Sequence, residues 1–358
     1  MKKIVSILLA AALTAGCLVS CGPAQSAAAA GTKSGDDDGV SIVATIFPEY
    51  DWVKNVLGDN PAGAEVSMLL DNGVDLHSYQ PNVEDIMKIG TCDLFIYVGG
   101  ESDEWVDDAL KEAVNKDMVV INLLEVLGDR AREEELVEGM QGEEEEEGED
   151  GEEEEVEYDE HVWLSLKNTE ILVNAIAEGL GKADGANAGT YSENANAYIE
   201  KLKALDAKYE AAVSLASNKT LLFGDRFPFR YLVDDYGLSY YAAFVGCSAE
   251  TEASFETVTF LAGKVDELGL ESVITIDGTD HRIAQTIIEN TSTKDQQILT
   301  MDSMQSVTAS DVEKGESYLD IMEKNLTVLE SALNGSQAAG PGAVITAADT
   351  GDSAGRGR

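Results

Sequence analysis

The segment Asp71-Asn-Gly-Val-Asp-Leu-His-Ser-Tyr-Gln-Pro81 holds one of only three histidines in the chain. The apolar run before it, residues 64–70, predicts a short strand, and the segment that opens with Pro81 predicts the first turns of a helix. His77 is therefore expected in a strand-to-helix loop at the carboxyl end of a strand, where open α/β sheets bind ligands. This position makes His77 a candidate metal ligand.

The rest of the sequence repeats the same alternation of strands and helices. Predicted strands lie at 41–47, 65–70, 94–98, 118–123, 220–223, 238–245, 272–276 and 297–301, with helix-length segments between them. Such alternation predicts an α/β protein with parallel-rich sheets flanked by helices. A long apolar stripe that starts at Thr190, a candidate N-cap with Glu193 at the capping-box position, predicts a helix of roughly six turns. This helix is long enough to act as a rigid strut between two lobes.

The net charge excludes some classes of partner. Lys and Arg total 24 against 68 Asp and Glu, a formal net charge of −44, which argues against binding to nucleic acid or to anionic membrane surfaces. Part of the excess lies in the glutamate-rich run 143–160. Its charges predict a solvated loop, although weak capture of divalent cations near a binding pocket is an alternative role.

The N-terminus predicts export. Its basic start and short apolar stretch are typical of a secretory signal, which ends in Leu18-Val-Ser-Cys21-Gly and resembles the bacterial lipobox. Cys21 is thus the predicted lipidation site, with Cys17 as a second candidate and a plain cleaved signal as the alternative. Of the remaining cysteines, Cys92 and Cys247 could form a disulfide, but two separate buried thiols are favoured.

These features divide the chain into segments. We predict a lipoprotein signal peptide at 1–20, a flexible tether at 21–40, an N-terminal lobe at 41–189 with its acidic loop at 133–160, a linking helix at 190–217, a C-terminal lobe at 218–334 and a disordered tail at 335–358.

Two motifs carry a resemblance to a known family. The first motif is Gly73-Val-Asp-Leu-His-Ser-Tyr-Gln-Pro81, which resembles Gly-x-Asp-Pro-His-x-Tyr-x-Pro of the zinc- and manganese-binding lipoproteins of metal ABC importers. The second is His161-Val-Trp-Leu-Ser-Leu-Lys-Asn168, which resembles His-x-Trp-Leu-x-Pro-x-Asn of the same family. The resemblance spans about residues 42–333. It implies two α/β lobes bridged by one long rigid helix, with metal in the cleft between the lobes and His77 and His161 as ligands.

The C-terminal lobe departs from the family pattern. The family's third ligand stands five residues before a tyrosine; counting back from Tyr231 gives Arg226, which cannot bind a cation. Its neighbour Asp225 is the candidate instead, with the alternative that Arg226 forms a salt bridge with Asp225. The fourth ligand, an acid after the last strand, corresponds to Asp302.

Two further residues are weaker candidates for metal ligands, and a third residue, His281, is not a candidate. Glu250 and Glu252 lie in another strand-to-helix loop of the C-terminal lobe, where acids at a helix N-terminus have an ordinary structural explanation. His281 also lies in such a loop, but the family pattern does not include it, and we expect it at the surface.

The resemblance implies a monomeric, lipid-anchored, extracytoplasmic receptor without enzymatic activity. It would capture a divalent transition metal, zinc first and manganese second, and deliver it to an ABC permease and its ATPase, touching the membrane through its anchor alone. One alternative is a secreted metallohydrolase that uses the same His/Asp cluster, with Asp225 or Glu252 as a base. Another is a calcium-buffering surface protein built on the glutamate run. The sequence does not settle an adhesive role.

Overall fold

The computed structural model describes residues 39–142, 157–248 and 252–335, and these fold around two parallel sheets of four strands each. The N-terminal lobe contains β1 (Ser41–Ala44), β2 (Glu65–Met68), β3 (Leu94–Tyr97) and β4 (Val119–Asn122), in the order β2-β1-β3-β4. The C-terminal lobe contains β5 (Thr220–Phe227), β6 (Ser239–Val245), β7 (Ser272–Ile276) and β8 (Gln297–Met301), in the order β6-β5-β7-β8. Both sheets thus place their first strand next to the second and third, and the predicted α/β class is confirmed.

Helices connect and cover the strands. Those of the N-terminal lobe are α1 (Phe47–Leu57), α2 (Val83–Thr91), α3 (Trp105–Glu112), α4 (Leu123–Leu127) and α5 (Leu166–Ala183). The long α6 (Ala188–Leu215) follows, and then α7 (Arg230–Tyr236), α8 (Phe255–Leu268), α9 (Arg282–Glu289), α10 (Ala309–Glu313) and α11 (Tyr318–Asn334). Among the described residues, no helix is both long and apolar enough to cross a membrane.

Helix α6 has 28 residues and is therefore about 42 Å long. It begins earlier than predicted, since Asn187 is the N-cap and its carbonyl accepts a hydrogen bond from the Tyr191 amide. Thr190 already lies inside the helix, so its assignment as the cap is wrong. The physical reason is the carboxylate of Asp184, which accepts bonds from Asn187 Nδ2 and Tyr191 Oη and fixes the preceding turn.

The two lobes share one apolar core. It runs from the first sheet through the buried face of α6 to one face of the second sheet and α11, while a smaller core fills the other face of the second sheet. Polar bonds cross the same seam: Trp163 Nε1 donates to the Ser303 carbonyl at 2.9 Å, and Tyr318 Oη donates to the Trp163 carbonyl at 2.7 Å. The lobes are therefore packed together rather than joined by a loose hinge.

Several sequence predictions concern residues outside the described part. These predictions are the signal peptide with Cys17 and Cys21, most of the tether, the glutamate run at 143–156, Glu250 and the tail from 336 onward. Within the described part, Cys92 and Cys247 are both free thiols, as favoured from the sequence, with Cys92 buried and Cys247 partly exposed.

Candidate metal centre

His77 lies in the loop between β2 and α2. A single 3-10 turn, Leu76–Ser78, holds it, and the Asp75 carboxylate caps this turn by accepting the His77 amide at 3.0 Å. Leu76 is buried and anchors the turn in the apolar core. The imidazole is thereby fixed at the carboxyl end of the N-terminal sheet, as the sequence predicted.

His161 is fully buried and opens a second 3-10 turn, Val162–Leu164, whose three residues are all buried. Asp159 fixes it twice, because the same Oδ1 accepts the His161 amide at 2.9 Å and faces ring Nδ1 at 3.0 Å. The apolar residues after the histidine explain this burial, since their side chains draw the start of the turn into the core.

The two imidazoles face each other through their Nε2 atoms, which are 3.2 Å apart. Zinc–nitrogen bonds of about 2.0–2.1 Å at a tetrahedral angle would place two ligand nitrogens about 3.3–3.4 Å apart. The observed separation therefore fits two corners of a tetrahedral coordination shell to within about 0.2 Å.

Carboxylates orient both rings from the opposite side. Asp159 serves His161, while His77 Nδ1 lies 2.8 Å from Ser102 Oγ and 3.4 Å from Glu160 Oε2. Burial raises the pKa of Glu160, but the bonds with His77 and Ser102 outweigh burial and leave that pKa below its ordinary value. An anionic partner at Nδ1 keeps the proton there and leaves Nε2 free as a ligand, an arrangement common among zinc-bound histidines.

Cys247, from the C-terminal lobe, lies close to the two histidines. Its Sγ and one ring nitrogen each of His77 and His161 all lie within 4.8 Å of one another. Gly246 permits the approach, because a Cβ at that position would stand 2.9 Å from Cε1 of His161. Burial, followed by the charges of Asp159, Glu134 and Glu160, raises the pKa of the Cys247 thiol well above 9.0.

Gln305 completes the immediate surroundings of His161. Its Nε2 lies 3.3 Å from His161 Nε2 and 3.5 Å from Asp75 Oδ1. The side chain is 7% exposed, and its Oε1 is buried without a hydrogen-bond partner among the described residues. An amide that turns about its terminal bond would satisfy this oxygen by directing it toward a cation at the two Nε2 atoms.

Asp225 does not face the histidines. Strand β5 shifts register between Phe223 and Arg226, a bulge that re-aims the side chains after it. Asp225 Oδ1 accepts the Arg226 amide, and Oδ2 accepts Thr279 Oγ1 at 2.8 Å and the Ile276 amide at 3.3 Å. The carboxylate is thus engaged within its own sheet.

Arg226 points into the cleft instead, and its guanidinium pairs with Asp75 Oδ2 at 2.6 Å. The predicted alternative, a salt bridge between Arg226 and Asp225, is wrong because the Arg226 guanidinium pairs with Asp75 and the Asp225 carboxylate accepts bonds from two backbone amides and Thr279. The bond that Arg226 makes crosses between the lobes and ends on the residue that caps the His77 turn.

The remaining candidates in the described part of the chain also do not belong to the cluster of His77, His161 and Cys247. Asp302 Oδ1 accepts the Met304 amide, and the Asp302 backbone is held by Asn325. Glu252 is exposed, and His281 is half-buried at the N-cap of α9 rather than at the surface as predicted. In the described part of the chain, the cluster of at least three potential ligands is His77, His161 and Cys247.

Sequence reasoning missed four residues of this centre: Cys247, Gln305, Asp159 and Glu160. Cys247 had a signal, because it comes directly after a strand whose carboxyl end faces the ligand edge of a parallel sheet. Asp159 and Glu160 immediately precede His161, the spacing at which a carboxylate can bond the backbone and ring of the same histidine. Gln305 carried no comparable signal, since it lies in an irregular segment after β8.

Comparison with known proteins places this geometry in context. Residues 42–332 match the family model ZnuA, described as zinc-uptake complex component A, periplasmic. The chain is 29% identical over 294 residues to the zinc-binding protein AdcA of Streptococcus pyogenes serotype M6, covering 81% of this chain and 55% of that protein. It is 28% identical over 316 residues to the high-affinity zinc uptake system protein ZnuA of Bacillus subtilis, covering 88% and 93%. The chain thus spans about half the length of the streptococcal AdcA proteins and nearly all of the Bacillus relative.

A solved structure agrees. The Zn(II)-bound ZnuA-like domain of Streptococcus pneumoniae AdcA matches with a TM-score of 0.64 and 28% identity, covering 83% of this chain and all of that domain. The resemblance inferred from the two histidine motifs is confirmed. This chain belongs to the ZnuA family of periplasmic zinc-uptake components.

Proposed function

We propose that this protein captures a divalent transition metal outside the cytoplasm, zinc first and manganese second, and delivers it to an ABC permease with its ATPase. His77 and His161 hold the ion through Nε2. The relatives are named as zinc-binding proteins and lipoproteins, which supports the cargo and a lipid anchor at Cys21.

The facing imidazoles carry the proposal. Two Nε2 atoms 3.2 Å apart, each on a ring whose Nδ1 meets a carboxylate, form half of a zinc coordination shell before the metal arrives. The carboxylates of Asp159 and Glu160 also place negative charge behind the pair, which attracts a dication.

The chain is a transport component rather than an enzyme, in keeping with its family. This removes the support for the metallohydrolase. Delivery fits a site at the seam between the two lobes, where the His77 side chain is 9% exposed while His161 is fully buried.

Calorimetric titration with zinc tests the proposal. We expect His77→Ala and His161→Ala each to weaken zinc binding by more than the roughly 10–100-fold typical of losing an outer-shell partner. His281→Ala is the matched control, since this histidine lies outside the cluster, and it should bind as the unchanged protein does. Near-normal affinity in both cluster variants would refute the assignment.

Metal competition tests the cargo. Divalent affinities at a nitrogen-containing site place zinc above manganese, so we expect zinc to displace manganese at equal free concentration. Growth of a deletion strain under starvation for each metal adds the physiological test, and rescue by manganese alone would overturn zinc as the cargo.

A further inference from the structure

We infer that the thiolate of Cys247 is a metal ligand supplied by the C-terminal lobe, beside the two imidazoles of His77 and His161. This inference rests on the proposed function, since it concerns the same ion. It differs from the ligand set implied by the family resemblance, in which a histidine or glutamate and a further acid from this lobe complete the site.

The position of Cys247 supports this role. Zinc–sulfur bonds of about 2.3 Å and zinc–nitrogen bonds of about 2.0–2.1 Å place sulfur and nitrogen about 3.5 Å apart in a tetrahedral shell. The three donor atoms already lie within 4.8 Å of one another. Rotation of the cysteine side chain and a small shift of its turn would close the remaining distance, which is at most about 1.3 Å.

The backbone around Cys247 is tied to the histidine loops. Gly246 lets the strand end approach the His161 ring, as described above. The Cys247 amide donates to Glu134 Oε1 at 3.3 Å. The Arg226 guanidinium donates both to the Ser248 carbonyl at 3.4 Å and to Asp75 Oδ2 at 2.6 Å. Through Asp75, the turn that carries the thiol is connected to the turn that carries His77.

An independent observation points to the same ion position. The Gln305 oxygen is buried and has no partner among the residues described, while its amide lies against His161 Nε2. A cation bound by the two imidazoles and the thiolate would offer this oxygen its missing partner after the amide turns. The donors would then be two nitrogens, one sulfur and a neutral oxygen.

When the metal–sulfur bond forms, the thiol loses its proton to solvent, as thiolate ligation requires. One negative charge is thereby added to the site beside the dication. Sulfur is a soft donor, so it favours zinc over manganese. We therefore expect Cys247 to contribute to selectivity as well as to affinity.

Cobalt substitution gives the direct readout, because a thiolate bound to Co(II) produces an intense near-ultraviolet charge-transfer band that imidazole and amide ligands do not. We expect this band in the unchanged protein and in Cys92→Ala, the control for the other thiol of the folded part. It should be absent from Cys247→Ser, whose zinc affinity should fall by more than about 100-fold, with a smaller loss for manganese.

Zinc-edge X-ray absorption of the unchanged protein adds a test that needs no variant, with a sulfur neighbour expected at about 2.3 Å. Tight zinc binding with only nitrogen and oxygen neighbours would overturn the role of Cys247 while leaving the proposed function standing. A charge-transfer band that persists in Cys247→Ser would overturn it as well. Failure of the unchanged protein to bind zinc would refute both.

Discussion

The two lobes share one sheet topology but contribute to the candidate metal centre in different ways. The N-terminal lobe supplies two imidazoles, each held by a capped or buried turn and by a carboxylate at Nδ1. The C-terminal lobe supplies a thiol, a guanidinium and an amide, and its Asp225 is turned away by the bulge in β5. The common fold therefore fixes where ligands converge, while local backbone detail decides which side chains reach that point.

The first strand of each lobe, β1 or β5, also lies beside a buried carboxylate, and the two carboxylates can be compared. Glu49 Oε2 accepts the Thr45 and Ile46 amides just after β1, and Asp225 accepts the Arg226 amide of β5 and the Ile276 amide at the end of β7. Burial, followed by the charge of Asp103, raises the pKa of Glu49 from 4.5 to about 8. Burial raises the pKa of Asp225 too.

The largest effect we expect is the pH dependence that Glu49 imposes on stability. Between its unfolded pKa near 4.5 and its folded pKa near 8, the folded state holds the additional proton. The free energy of unfolding therefore falls as pH rises through this window, by up to about 1.4 kcal/mol per pH unit. In Glu49→Gln this decline should become shallower.

Urea unfolding of the metal-free protein at about pH 5 and about pH 8 measures this change. The change in unfolding free energy between the two pH values is compared, rather than its value at one pH. The cost of placing an amide nitrogen at the unpartnered Glu49 Oε1 then cancels, because it is the same at both pH values. Asp225→Asn provides the comparison for the other lobe. An unchanged slope in Glu49→Gln would show that this carboxyl ionises normally in the folded protein.

The next effect concerns the carboxylate behind His161. Asp159→Asn keeps an oxygen that can accept the Nδ1 proton but removes its charge, so we expect zinc affinity to fall by about 10–100-fold. Asp235→Asn is a suitable control, because Asp235 accepts Ser165 Oγ and lies outside the cluster. Equal zinc affinities in the two variants would mean that the N-terminal lobe does not tune its ligands through Asp159.

The third effect tests the bond between the lobes. Arg226→Ala removes the 2.6 Å ion pair with Asp75, in which the Arg226 side chain is 18% exposed and the Asp75 side chain is 26% exposed. We expect a loss of roughly 1.5 kcal/mol in the free energy of unfolding, the low end for a hydrogen bond to a charged group, because the pair is partly solvated. Arg282→Ala, which breaks an exposed pair with Asp280, should cost roughly 0–1 kcal/mol. Similar losses of unfolding free energy in both variants would show that the Arg226–Asp75 bond stabilises the protein no more than an exposed ion pair does.

The contrast between the lobes also explains what the sequence could predict. The β-α alternation gave the eight strands and the α/β class, because hydrophobic periodicity reports burial directly. Both histidines followed from local motifs, whose turns are closed by neighbours such as Asp75 and Asp159.

The C-terminal lobe escaped the same reasoning because its side chains reach the cleft through long-range geometry. The bulge between Phe223 and Arg226 has no clear local signature, yet it shifts the register of the strand that carries Asp225. Gln305 meets His161 across 144 positions of sequence. Start positions of helices were also uncertain, as Thr190 illustrates, because a carboxylate three residues before the true cap set the turn.

The smallest effect is expected for the two acids that the sequence predicted as ligands, Asp302 from the family pattern and Asp225 as the carboxylate beside Arg226. In the structure, Asp225 is engaged by three donors and Asp302 by the Met304 amide. We therefore expect Asp225→Asn and Asp302→Asn to change zinc affinity by no more than about threefold, or about 0.7 kcal/mol, even where they alter stability. Calorimetric titration of both variants beside Cys247→Ser ranks the three candidate ligands of this lobe in one experiment. A loss above about tenfold in either aspartate variant would mean that its carboxylate leaves its present bonds and enters the site when metal binds, and the C-terminal lobe would then resemble the family pattern more closely than its side-chain geometry indicates.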